Sequence, residues 1–148
     1  MRENMKAEEI ITYARNLKER CGTNDPYAIA EKLGIVVLHR ECSIKDFTAQ
    51  AVKMEGYPTI ISINNRYTEY SQKVLCAHEL GHAIFHENCV NHFAVTERNV
   101  SANLEWEANL FAVALLAADD IDEMLTLPLA KMNNYVLKSI LDYNLKLF

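Results

Sequence analysis

The chain has 148 residues, half of them apolar and 24% charged, and carries a net charge of −5. That length suits one domain spanning residues 1–148, able to bury roughly two thirds of its unfolded surface without help from disulfides. The composition excludes a disordered chain, and the acidic balance argues against direct binding to nucleic acid.

Residues 6–21 place Ile10, Ile11, Ala14, Leu17 and Cys21 at helical spacing, and Gly22 follows as a stop. Asn24 or Asp25 caps a second helix with Pro26 in its first turn and Gly34 at its end. Ile35-Val36-Val37-Leu38 is short and β-branched and reads as a strand. Residues 47–53 and 59–63 alternate, and the turn-rich stretch Met54 to Pro58 joins them as a hairpin. The predicted sheet is small, antiparallel and of about three strands.

Thr68 caps a long helix that runs to about His86. Residues 87–102 read as a loop, and a second strong helix runs from Ala102 to Ala117. From Asp119 onward the pattern is helical, with Pro128 dividing a short helix from a longer one. The longer one carries an imperfect stripe of Leu137, Ile140, Leu141, Tyr143 and Leu145. The expected class is therefore α+β, a small sheet packed on the long helix with further N- and C-terminal helices.

Cys21, Cys42, Cys76 and Cys89 show no CxxC spacing, so they read as reduced thiols, most of them small core hydrophobes. The longest apolar run, Phe111 to Ala118, falls far short of the roughly 20 residues a membrane span needs. Charges also interrupt the N-terminal stretch, leaving no signal-peptide core. A cytoplasmic protein without a membrane partner is the expectation.

Residues 78–82 read His-Glu-Leu-Gly-His. Residues four apart share one helical face, so His78 and His82 can turn their imidazoles to one ion. Zinc is the expected cofactor, because two imidazoles suit it and a position can stay open for water. Glu79 lies about 100° further round the helix. There it misses the ion but can take a proton from a water on it, as the catalytic general base.

A third ligand is needed. His86 continues the series, yet a straight helix carries it about 12 Å from His78. It is left as a surface or packed histidine, or as a group behind the ligands. A pattern HExxHxxGxxH is excluded, because Phe85 and Asn88 stand at its last two places.

The better candidate is Glu105 on the second helix, which shares a face with Ala108, Ala112, Leu115 and Leu116. A carboxylate on such a stripe is costly unless it is paired or bound to a cation. Asn109, one turn on, could accept the N–H of a metal-bound histidine and fix its tautomer. Glu107 lies about 200° round from Glu105 and reads as solvated. Tyr67, Tyr70, His86 and His92 are all possible stabilisers of an oxyanion, and no pattern selects among them. An extended peptide could add to an edge strand, with residues 58–64 the expected edge.

Several blocks together resemble the ImmA/IrrE family of zinc peptidases. They are Asp25-Pro26, Ile29-Ala30-Glu31, Leu33-Gly34-Ile35, Ile60 to Asn64, Ala77 to His82, and Glu105-x-x-Ala108-Asn109-x-Phe111-Ala112-x-x-Leu115-Leu116. The resemblance covers residues 8–118. It implies a small gluzincin-like fold, with the glutamate at position 105 as third ligand. It also implies a protein substrate, a helix-turn-helix repressor of the phage-immunity type, whose cleavage switches on mobile-element or stress genes. The chain departs from the family at Ala117 and Ala118, where proline often follows the two leucines, and its Leu/Asn/Lys-rich C-terminal helix does not match the helical signature with which many members continue. A competing reading keeps His78, His82 and Glu105 on zinc in a module that grips a regulator without cutting it. Glu79 would be dispensable there.

Overall fold

The computed structural model describes residues 5–41, 48–86, 102–116 and 128–147. The expected loop after His86, the short helix before Pro128, and His92, Cys42 and Cys89 lie outside them. The architecture is α+β, in the order α1 (Ala7–Cys21), α2 (Pro26–Lys32), β1 (Val36–Arg40), β2 (Ala49–Val52), β3 (Ile60–Asn64), α3 (Glu69–Phe85), α4 (Ala102–Leu116) and α5 (Asn134–Tyr143). A short 3-10 turn at Leu129–Lys131 precedes α5.

Local chemistry explains most boundaries. The Glu9 carboxylate accepts from the Lys6 N–H at 2.9 Å, and Gly22 closes α1 with a φ of 69° that favours glycine. Asp25 accepts from the Tyr27 N–H at 3.0 Å with Pro26 opening α2. Thr68 accepts from the Ser71 N–H at 3.2 Å and starts α3. Replacing Thr68 by alanine should cost about 1 kcal/mol of stability, read as a fall in the denaturant midpoint. The end of the chain is tied to the same place: Ser71 Oγ donates to the Asn144 carbonyl at 2.9 Å and accepts from the Lys146 N–H at 2.7 Å.

The sheet has three strands, as the alternation predicts, but its order is β1-β3-β2 and it is mixed. β2 and β3 form the antiparallel hairpin, with Ala51 opposite Ile61. β1 runs parallel to β3, with Val37 opposite Ile61. The antiparallel expectation therefore fails for one pair. The physical reason lies in β3: Ile61, Ser62, Ile63 and Asn64 are all buried, on both faces, so this strand takes the centre of the sheet. Alternation within a strand carries no information about which neighbour it will accept. The same result corrects the expected peptide-binding edge, since residues 60–64 are bonded on both sides.

α3 lies between the sheet and α4. α4 in turn packs against α1, α3 and α5, and its residues from Glu107 to Leu116 are all buried. Phe111, Leu110, Leu115 and Leu116 meet Leu80 of α3, Ile10 and Leu17 of α1 and Leu137 of α5 in one core. Leu137 and Leu141 are the buried part of the α5 stripe, while Tyr143 is exposed. Among the described residues, no helix is long and apolar enough to cross a membrane.

Candidate metal centre

α3 and α4 meet closely where α3 has Gly81 and α4 the small Ala108. A Cβ on Gly81 would lie 3.0 Å from the Ala108 Cα and 3.2 Å from its carbonyl oxygen. This contact puts the residues flanking Gly81 opposite the start of α4. His78 and His82 stack edge to face, with ring centroids 4.8 Å apart. The Glu105 carboxylate faces both: Oε1 lies 3.5 Å from His78 Nε2, and Oε2 lies 2.9 Å from His82 Nε2.

One donor atom from each of these three residues lies within 4.8 Å of the others. Tetrahedral zinc with bonds of about 2.0–2.1 Å separates its ligand atoms by roughly 3.3 Å. Two imidazole nitrogens and a carboxylate oxygen at these spacings fit such an ion in chemistry and in size. Glu79, almost fully buried, brings Oε2 to 3.8 Å from His78 Nε2. The Asn109 amide N–H donates to the Asn134 side chain of α5 at 2.6 Å, and Asn109 stands near enough to His78 to favour its charged ring.

The charges are arranged for a cation. Burial works against ionising Glu105, but hydrogen bonds and charge from His78 and His82 hold its carboxyl far below the usual carboxylate range. Burial pulls His82 below the ordinary imidazole value, and the nearby His78 adds to the fall despite the opposing pull of Glu105. His78 is half-buried, which works against its charge, yet Glu105, Glu79 and Asn109 together lift its pKa. A carboxylate facing two imidazoles in so enclosed a place suits a divalent ion that all three can hold.

Glu107 corrects the sequence reading. It is fully buried, not solvated. Its Oε2 accepts from the Met5 N–H at 3.0 Å, and its Oε1 lies 3.0 Å from His86 Nε2. His86 Nδ1 lies 2.8 Å from His82 Nδ1. His86 is therefore a buried group behind His82, with both ring nitrogens engaged, and neither is left for an oxyanion. The available signal was the stretch after Glu107, Ala-Asn-Leu-Phe-Ala-Val-Ala-Leu-Leu, which is apolar nearly all round and leaves the helix no solvent face. Tyr67 and Tyr70 stand at the start of α3, with Tyr70 about 12 Å along the helix from His78.

A helix bearing His-Glu-x-x-His, with a carboxylate from a second helix closed over both histidines, is the arrangement of a metallopeptidase. Residues 30–125 match the family described as Peptidase M78, IrrE N-terminal-like domain. This chain belongs to that family of peptidases. It is also similar to "Uncharacterized immunity region protein 2" of Bacillus phage phi105, with 33% identity over 111 residues, 71% of this chain. That match spans 66% of the phage protein, a little under two thirds of its length. No solved structure gives a significant match.

Proposed function

We propose that this chain is a zinc-dependent endopeptidase that cleaves a helix-turn-helix repressor of the phage-immunity type. The observation that carries the reading is the convergence of His78, His82 and Glu105 beside the buried carboxylate of Glu79. The substrate class is supported by the family and by the immunity region named in the phage relative.

His78 and His82 offer their Nε2 atoms and Glu105 an oxygen as metal ligands. Asn109, with its N–H committed to Asn134, offers an oxygen to the His78 ring and holds it in place. Bound zinc supplies a Lewis acid for the scissile carbonyl and makes a water acidic enough to lose its proton near neutral pH. Glu79 takes that proton as the water attacks and returns it to the leaving amine. The substrate lies extended along β2. This strand packs on α3, and its outer edge has no strand beside it among the described residues.

Purified protein should carry about one zinc per chain, released by a chelator, because a structured site retains its ion. Glu105→Gln should weaken zinc binding on the order of tenfold or more, judged by competition with a chromophoric chelator. The zinc-loaded chain should cut a repressor encoded beside its gene into two fragments resolved by mass spectrometry. A repressor left intact by fully loaded protein would reject the assignment of substrate.

A further inference from the structure

Behind His82 runs a line of four atoms from three side chains that the catalytic reading leaves unused: His82 Nδ1, His86 Nδ1 at 2.8 Å, His86 Nε2, then Glu107 Oε1 at 3.0 Å. The far oxygen of Glu107 accepts from the Met5 backbone at 3.0 Å. Every member except Met5 is buried. A carboxylate and two histidines in such a place need their protons in a definite order, because a lone pair set against a lone pair in a dry interior is expensive.

The order follows from the ends. The Met5 N–H can only donate, so Glu107 is held there as an acceptor. A carboxylate oxygen facing His86 Nε2 takes an N–H from it. The opposite order would press the Nε2 lone pair against that oxygen at 3.0 Å. With its proton on Nε2, neutral His86 has an acceptor at Nδ1. His82 must then donate from its own Nδ1, which leaves its Nε2 lone pair facing Glu105 Oε2 at 2.9 Å, an opposition that a cation held by both atoms relieves.

We propose that Glu107 and His86 are positioning residues that fix the tautomer and ring angle of His82, so that His82 presents Nε2 as a metal donor. The proposal rests on the zinc reading above and adds to it a two-residue support reaching from α4, through the end of α3, to the segment before α1. It also explains why a glutamate occupies a helix position with no access to water. Asn109 serves His78 from one side, and the His86–Glu107 pair serves His82 from the other.

The test measures zinc affinity and proton position, not turnover. His86→Leu and Glu107→Gln should each weaken zinc binding about 10–100-fold, the usual loss when a histidine's outer partner is removed. Glu107→Gln keeps the shape but has one acceptor oxygen for two donors. The double variant should bind no more weakly than the worse single one, since Glu107 acts only through His86. His86→Asn, which can offer an acceptor near the old Nδ1, should recover most of the loss. In zinc-loaded wild-type protein, nitrogen NMR should show a through-hydrogen-bond coupling between the Nδ1 atoms of His82 and His86, with the His86 proton on Nε2. This readout needs no variant to fold. Wild-type zinc affinity in either single variant, fully additive losses, or a His86 proton on Nδ1 would each overturn the relay alone. A wild-type chain that takes up no zinc would instead overturn the metal reading, and the relay with it.

Discussion

Glu79→Gln should lower repressor cleavage by about 10²–10⁴-fold, the usual share of a general acid–base group, while zinc binding stays close to that of the wild type. The substitution is nearly isosteric, so the buried slot it occupies stays filled. Glu79 stands 3.8 Å from His78 Nε2 and belongs to neither the imidazole pair nor the Glu105 contact. Removing its charge takes away some attraction for a cation but none of the three donors. The variant therefore separates binding from cutting. It should hold the repressor uncut in a pull-down or a size-exclusion experiment. If the Glu79→Gln chain still relieves repression in cells without cleaving, the protein works by gripping its target and the module reading replaces the peptidase one. Should it still cut, another residue is the base.

Gly81→Ala should disable the centre without touching any of its ligands. Two effects of the change oppose each other. Alanine in a helix interior is worth about 1 kcal/mol over glycine. Against that, its methyl would meet the Ala108 Cα at 3.0 Å, the Ala108 carbonyl at 3.2 Å and a Phe111 ring carbon at 3.2 Å. Two of those atoms belong to helix backbone, which cannot step aside as a flexible side chain does. Overpacking of this kind typically costs about 1–3 kcal/mol. The net loss of stability should be small, perceptible as a shift of a few degrees in melting temperature for a domain of this size. The site should suffer more. Glu105 lies one turn before Ala108, so pushing α4 off α3 moves the carboxylate away from both imidazoles. Zinc affinity should fall on the order of tenfold or more. A folded Gly81→Ala chain that binds zinc as tightly as the wild type would show that the close helix contact does not set the site.

The two changes bracket the centre from opposite sides. One alters a reacting group and leaves the geometry. The other alters the geometry and leaves every reacting group. Only a site whose function depends on both should respond to each in its own readout, cleavage for the first and metal affinity for the second.

Much of this was legible in the chain itself. The spacing of His78 and His82 on one helix is a local fact, set by 3.6 residues per turn. So are the caps at Asp25 and Thr68 and the stop at Gly22, because each depends on backbone groups within a few residues. Glu105 was reachable as well. Although its side chain keeps about a third of its surface exposed, the apolar face it leads turns toward α3. The Ala51–Ile61 hairpin follows from alternation and a turn, again over a short span.

Local order along the chain thus fixes the chemical groups and the faces that carry them, since periodicity and capping are short-range. The tertiary structure alone decided three things. It inserted β3 between β1 and β2, because a strand buried on both faces needs two neighbours, and periodicity does not name them. It buried Glu107, because α4 is enclosed by three other helices and has no wet side for a charge to take. And it joined Met5, Glu107, His86 and His82 into one line of hydrogen bonds across 102 residues of chain. A contact of that span depends on how helices pack, and packing is settled by the whole core at once.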